Sequence, residues 1–386
     1  MDILRPEIQK FIRENLQTNL VSLRLKKSPF EAVAITDIIN QINGWKVAEK
    51  KFPFLLQEGI IFPPNLNLEQ ASSEATANYK SSLTKGKSMA DLTAGFGIDA
   101  YYISKKFEEV TLVEQNPDLL KIVAHNWQIL DKNAQFIHQN LEKFLTENTQ
   151  IFDLVFLDPA RRDRAQKKVF LLEDLLPNIL DILPQIKVLA HEIIIKLSPL
   201  LDISYVLSVL ENVEAIHIVA VRNEVKELLV HLKRNHFSPT KIHAVNLESA
   251  EPDFIFDWDA FKANQAEFSD PLNFIYIPNN ALLKTGAFHL IAHKFGLKKL
   301  HPNTHLYTSA ERINDFPGRV FQMKVVSTKT LRKGDQYNII SKNYPLKPEE
   351  IKKKYGLKDG GKDYLIFTQS ISGKTILKSV FAKEPK

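Results

Sequence analysis

The chain opens with helical spacing. In Glu7–Leu16 the apolar residues Ile8, Phe11, Ile12 and Leu16 fall near one face, and Phe30–Ile42 predicts a second helix. Prolines punctuate Phe52–Pro64, which reads as loop. Asn67 is placed to cap a helix over Leu68–Lys80, with Gln70 at the reciprocal capping position. The pattern then changes to short apolar runs alternating with helical segments such as Pro117–Ala124. Strand-like runs end near Asp91, Glu114, Asn140 and Asp158, followed by Glu192–Leu197 and Ala215–Val221. Continuous apolar strands with helical crossovers predict a mostly parallel sheet covered on both faces. The run Glu227–Leu232 follows Val221 too closely for a crossover, so an antiparallel strand should close the sheet, and Lys241–Leu247 is a candidate further strand. Between Glu248 and Asp270 the composition turns acidic, which marks a boundary. Beyond it, Phe274–Ile277, Val320–Val326 and Tyr364–Phe367 alternate like strands and Pro348–Tyr355 reads as a helix, an α+β pattern.

Composition narrows the possibilities. At 386 residues and 44% hydrophobic, the chain can bury a large core in roughly two to three domains. The absence of cysteine removes disulfides, cysteine-ligated zinc, iron–sulfur clusters and any methylation chemistry that needs a thiolate. The first residues lack the layout of a signal peptide and no apolar run reaches spanning length, so a soluble cytoplasmic protein without membrane contact is expected. Net charge is +6, and Leu331–Lys386 holds thirteen Lys/Arg against six Asp/Glu. Nucleic acid and a merely solvated lysine-rich surface both fit that excess.

The candidate chemistry gathers at the strand ends. Asp91-Leu-Thr93-Ala-Gly95-Phe-Gly97-Ile-Asp99-Ala100 places a Gly-x-Gly turn where open α/β sheets bind nucleotide-like ligands. Gly95 and Gly97 allow close backbone approach. Glu114, about twenty residues on, can accept hydrogen bonds from both hydroxyls of a ribose. The letters Gly95-x-Gly97-x-x-Ala100 also satisfy a dinucleotide pattern, which would make the chain an NAD(P)-dependent oxidoreductase. Against that, Asp91 would set a carboxylate beside a pyrophosphate that the helix N-terminus should hold.

The first motif, Glu114 and Asp158-Pro159 together resemble class I S-adenosylmethionine-dependent methyltransferases. Asp-x-Thr-Ala-Gly-x-Gly-x-Asp-Ala also resembles the bacterial 16S rRNA guanine-N2 methyltransferases. The closer resemblance is to the bacterial methyltransferase family with a THUMP-like C-terminal domain, through Leu68–Glu74, Asp158–Arg162, Lys196–Asp202 and Phe316–Arg319. It implies a Rossmann-like core with a mostly parallel seven-stranded sheet, a helical segment before it and a ferredoxin-like/THUMP-like α+β module after it. The expected domains are 1–80 (helical), 81–250 (methyltransferase core), 272–317 (ferredoxin-like) and 318–386 (THUMP-like, basic, RNA-binding). The cofactor would be S-adenosylmethionine, bound by Asp91, Thr93, Gly95, Gly97, Asp99, Glu114, Asn140 and Asp158. Asn140 stands where this class commonly has an Asp that contacts the adenine amine.

For methyl transfer to an exocyclic amine, Asp158 and the Pro159 carbonyl could accept the amine hydrogens, and Arg161 completes the catalytic set. Base-flipping amino-methyltransferases usually carry a second proline and an aromatic after that Asp-Pro; Ala160 and Arg161 depart from this, which leaves the acceptor atom open. Arg161, Arg162, Lys196 and the run Lys352-Lys353-Lys354 are the candidate substrate contacts, with RNA as the expected partner. Surface pairing with Glu173 or Asp174 is the plain alternative for the two arginines. A silent Rossmann-like core on an RNA-binding protein is the other reading of the whole chain. Gly86-Lys87-Ser88 and Gly373-Lys374-Thr375 lack the upstream glycine of a phosphate-binding loop. His289/His293 and His301/His305 lack a third ligand pattern, so no structural metal is expected. Nothing in the sequence addresses the oligomeric state.

Overall fold

Near the N-terminus the apolar spacing yields helices Pro6–Glu14, Leu20–Arg24 and Ile35–Lys51. They bury Ile8, Ile12, Leu23, Ile38, Ile39 and Ile42 together. Helix was expected from Phe30, but Phe30 packs edge-on to Phe11 at 5.6 Å and Ala34 is still extended at ψ 147°. Residues 30–33 form bends and a turn instead, and the helix starts only at Ile35. This computed structural model describes residues 2–161, 171–263 and 265–380. The chain divides into two units, Met1–Glu214 with Leu228–Phe237, and Ala215–Glu227 with Ser238–Lys386.

The helix expected over Leu68–Lys80 is two helices, Asn65–Gln70 and Glu74–Ser82. Ala71 and Ser73 between them are extended, and Ser73 caps the second by accepting from the Thr76 N–H at 3.4 Å. Short hydroxyl side chains compete with the helical ladder for backbone partners, and here two in succession break it.

The first unit holds β1 (Ser88–Asp91), β2 (Glu109–Glu114), β3 (Gln135–His138) and β4 (Phe152–Leu157), then a two-residue ladder of β5 (Ala160–Arg161) with β6 (Leu175–Leu176), and β7 (Ala190–Leu197). The strand β8 (Val213–Val221) leads into β9 (Glu224–Lys233), whose second half returns to this unit. There the order is β9-β7-β4-β1-β2-β3, parallel throughout except for β9, which runs antiparallel to β7 from Glu192↔Lys233 to Leu197↔Leu228. The closing antiparallel strand is where the short Val221–Glu227 spacing required it.

In the second unit, Arg222 and Asn223 turn β8 into β9 with φ of 49° and 68°, the mirror-image two-residue turn that matches strand twist. Here β10 (Lys241–Leu247) lies parallel to β8, and β11 (Phe254–Asp257) antiparallel to β10. The remaining strands are β12 (Phe274–Pro278), β13 (Lys298–His301), β14 (Thr304–Ser309), β15 (Gly318–Val325), β16 (Gln336–Ser341), β17 (Lys358–Ser370) and β18 (Gly373–Ser379). They form one sheet, β13-β14-β12-β15-β18-β17-β16, in which β16 and β17 are the parallel pair. Because β12 pairs with β15, this sheet crosses the boundary expected between 317 and 318. No described helix is long and apolar enough to cross a membrane.

Candidate functional site

The carboxyl ends of β1, β2 and β4 open on a cleft of about 430 Å³, within the range of small-ligand sites. Asp91 ends β1 almost fully buried, and its Oδ1 accepts from the Thr93 N–H at 3.0 Å. The Thr93 hydroxyl accepts from the Asp158 N–H at 2.6 Å, so one threonine ties the tips of β1 and β4. Glu114 at the tip of β2 accepts from the Gly95 N–H at 2.9 Å through one oxygen and from the Asn116 N–H at 2.8 Å through the other. Each carboxylate oxygen has a further lone pair for a ligand hydroxyl.

The two glycines do different things. Both have positive φ, +53° at Gly95 and +74° at Gly97. A Cβ on Gly95 would meet only the Thr93 carbonyl oxygen, at 3.8 Å, so its missing side chain leaves cleft space open. A Cβ on Gly97 would press on Val123 Cγ1 at 2.9 Å and Trp127 Nε1 at 3.3 Å. The missing side chain of Gly97 therefore serves helix packing and that of Gly95 leaves cleft space, while both residues line the cleft. Both had been expected to admit a ligand.

Asp99 faces inward as well, but towards protein cations. Its Oδ1 lies 3.1 Å from Lys80 Nζ, and its Oδ2 accepts from the Ser72 hydroxyl at 2.7 Å and lies 3.7 Å from Lys196 Nζ. Lys196 Nζ in turn donates to Asp158 Oδ2 at 2.6 Å. Lys196, expected to meet an anionic substrate, is thus engaged by two carboxylates. Lys80 was missed in the sequence because its helix looked merely polar. The available signal was position: Thr76, Ala77, Lys80 and Ser81 form the buried face, so a lysine there had to find a buried partner.

Asn140 caps the helix Leu141–Glu147 by accepting from the Lys143 N–H at 2.9 Å, while its neighbours Gln139, Leu141 and Glu142 line the cleft. One lone pair of Asn140 Oδ1 serves the cap, and among the described residues it is these neighbours, not Asn140 itself, that form the cleft wall. Pro159 is buried beside Asp158, and Arg161 lies in β5, paired with Leu175 of β6. Arg162 lies outside the described residues. The helical break at Ala71–Ser73 brings Asn67, Gln70, Ala71 and Ser72 into the cleft wall. Lys352, Lys353 and Lys354 belong to the second unit, in the last turn of the helix Pro348–Tyr355. Lys352 is paired with Glu349 at 2.7 Å and Asp359 at 3.6 Å, whereas Lys354 lies over the Tyr355 ring at 5.4 Å. The Arg222-Asn223-Glu224 run is structural: Arg222 pairs with Glu248 at 2.7 Å, and Asn223 accepts from the Asn280 N–H at 2.7 Å.

Electrostatics follow from this burial. Burial drives the Asp91 carboxyl well above the usual range; the Thr93 N–H opposes this, and Asp99, Asp158 and Glu114 add to the rise. Burial also raises Asp158, with Lys196 pulling against it; 37% of that side chain remains open, and water damps the effect. Burial would raise Asp99 too, but Lys80 and Lys196, with the Ser72 hydroxyl, outweigh it and hold Asp99 low. The cleft thus offers a buried carboxylate that pairs with no cation among the described residues, a glycine edge open to the cleft, and a glutamate placed for a diol. That donor set suits a nucleoside carrying positive charge better than a pyrophosphate.

Residues 72–197 match the family described as Conserved hypothetical protein 95, residues 274–317 a ferredoxin-like domain and residues 319–379 a THUMP domain-like family. An uncharacterised RNA methyltransferase of Mycoplasma mobile is 32% identical over 173 residues, 43% of this chain and 46% of the relative. One from Protochlamydia amoebophila is 27% identical over 165 residues, 40% of this chain and 37% of the relative. The chain therefore spans under half the length of either. The crystal structure of a candidate methyltransferase from Porphyromonas gingivalis W83 superposes with a TM-score of 0.86 at 29% identity, covering 98% of both chains. Motifs, fold and matched segments converge: the chain is similar to methyltransferases across its core, and its C-terminal segments match ferredoxin-like and THUMP-like domain families.

Proposed function

We propose that this protein transfers a methyl group from S-adenosylmethionine to RNA, at an exocyclic base nitrogen. The observation that carries the reading is the convergence of Asp91, Glu114 and Asp158 from three adjacent strand ends on one cleft, with the Gly95 edge open beside them. In this reading Glu114 takes the ribose hydroxyls and Asp91 faces the cationic amino-acid end. The bound cofactor supplies a methyl group on a positively charged sulfur. Asp158 uses Oδ2 on Lys196, and its Oδ1, which makes no hydrogen bond among the described residues, is available to an amine N–H. Aligning acceptor and methyl for in-line displacement is the protein's main contribution. The buried Asp91 carboxylate argues against NAD, whose pyrophosphate would sit beside it.

RNA as the substrate rests on the names of the two relatives, on the THUMP-like match and on the lysines at the end of Pro348–Tyr355. Mass spectrometry of rRNA and tRNA nucleosides from a deletion strain tests substrate and atom together. Loss of one N-methylated nucleoside, restored by the wild-type gene and not by Asp158→Asn, is the expected result. An unchanged nucleoside profile would contradict RNA methylation, and loss of a C- or O-methylated nucleoside would contradict the nitrogen.

A further inference from the structure

We infer that Lys196 is a positioning residue for methyl transfer: anchored by Asp99 and the buried Lys80, it fixes Asp158 Oδ2 so that Oδ1 alone is presented to the acceptor. This rests on the methyltransferase reading above and adds to it a role for Lys196 and Lys80, two lysines outside the expected cofactor contacts.

The geometry is an alternating chain of charges. Lys80 is wholly buried with Nζ 3.1 Å from Asp99 Oδ1. Asp99, 9% exposed, reaches Lys196 at 3.7 Å, and Lys196, 13% exposed, reaches Asp158 at 2.6 Å. Exposure rises along the chain and is largest at its last member, Asp158, at the cleft. The Ser72 hydroxyl holds Asp99 at 2.7 Å, and Lys80 also donates to the Thr76 carbonyl at 3.3 Å, so the inner end has little freedom. Buried ion pairs are weak stabilisers, and an apolar pair of similar volume often serves stability as well. What four linked charges add is direction: a carboxylate with one oxygen fixed has its second oxygen in a defined place. The Thr93–Asp158 hydrogen bond fixes the backbone of the same residue, so both ends of Asp158 are held.

In the transfer step the acceptor nitrogen's lone pair forms the new N–CH₃ bond while the S–CH₃ bond breaks and leaves its electron pair on sulfur. The nitrogen's surplus proton passes through Asp158 Oδ1 to water. Correct presentation of Oδ1 is felt mainly in this step and much less in cofactor binding, which Asp91 and Glu114 carry in this reading. The pairing also holds Asp158 ionised further into the acid range than burial alone would allow.

The test uses the full-length protein with Lys196→Gln, Lys196→Arg and Lys80→Met, total RNA from the deletion strain as substrate, and S-adenosylhomocysteine as calorimetric probe. Lys196→Gln should bind the probe within about threefold of wild type. It should lose about 10- to 100-fold in kcat with a smaller change in KM, and shift the acid limb of its pH profile upward. Lys196→Arg should recover part of the rate. In ¹³C-aspartate-labelled protein, the resonance assigned to Asp158 through Asp158→Asn should titrate at higher pH in Lys196→Gln than in wild type. Lys80→Met tests the inner anchor: where it still binds the probe, it should show a smaller version of the same kcat and pH effects, and where it does not fold, the Lys196 variants decide alone. An unchanged rate and pH profile in Lys196→Gln would overturn the positioning role. If wild type transfers nothing to RNA while the Asp158 titration shifts as described, the pairing stands and the RNA reading fails; an unshifted titration overturns the pairing itself.

Discussion

Gly95 and Gly97 stand two residues apart, share positive φ, and separate when a Cβ is placed on each. Gly97→Ala meets Val123 and Trp127 and should cost about 2–4 kcal/mol in a denaturant melt, from overpacking plus left-handed strain. Gly95→Ala meets no side chain, so it should lose only about 1–2 kcal/mol of stability from strain while weakening S-adenosylhomocysteine binding at least tenfold by filling the cleft edge. Equal effects of the two on both measurements would contradict the division. Asp91 makes a pH prediction. Its folded-state carboxyl is raised, so its contribution to stability is full below the ordinary carboxylate range and is lost as pH rises through the raised value. A ligand amine favours the ionised form, so the Tm gain from S-adenosylhomocysteine should grow with pH in wild type and be flatter in Asp91→Asn. Identical slopes would remove Asp91 from the site. At this scale Asp91, Glu114 and Asp158 were legible because a strand end states its own location. Lys80 was not, because its partner is set by long-range packing.

Among the elements, β7 and β9 are joined by a cluster the strand pattern alone does not announce. Glu192 on β7 accepts from His231 at 3.1 Å and lies 3.1 Å from Lys233, both on β9, and His231 Nδ1 lies 3.6 Å from Glu214. The His231 hydrogen bond first, then Lys233, hold the Glu192 carboxyl down at about 2 against its burial. A lowered carboxylate stabilises the fold above its unfolded value, and that stability is lost as pH falls from about 4.5 towards 2. Glu192→Gln should therefore destabilise by about 1 kcal/mol at neutral pH, allowing for partial solvent screening, with the difference closing below pH of about 3. A pH-independent difference between the two melting curves would assign the effect to packing. Elements with clean periodicity were readable, including β10 and the helix Pro348–Tyr355, both of which match their expected ranges. The single helix over Leu68–Lys80 was not, since whether two serines break a helix depends on the Asp99 carboxylate that one of them reaches.

For the whole molecule, the basic C-terminal region should contribute salt-dependent RNA affinity through phosphates. Its three consecutive lysines are not equivalent, because Lys352 is held by Glu349 and Asp359 at 16% side-chain exposure. Changing Lys353 and Lys354 together to Ala should lower the slope of log affinity against log salt by about 1–2 without abolishing binding, while Lys352→Ala should act mainly on the helix. An unchanged slope in the double variant would move RNA contact elsewhere. The sequence disclosed an α/β core followed by an α+β region, but not that one sheet would run from β12 into β15 across the expected boundary, because pairing between distant strands leaves no local pattern.

The most direct test of the central claim, that the cleft between Asp91, Gly95 and Glu114 is an S-adenosylmethionine site, is calorimetric titration of the full-length protein with S-adenosylhomocysteine, NAD and NADP. Wild type should bind S-adenosylhomocysteine at one site and neither dinucleotide, and Glu114→Ala, still folded, should lose roughly 1.5–3 kcal/mol of that affinity. Binding of NAD without S-adenosylhomocysteine, or undiminished S-adenosylhomocysteine affinity in folded Glu114→Ala, would contradict it.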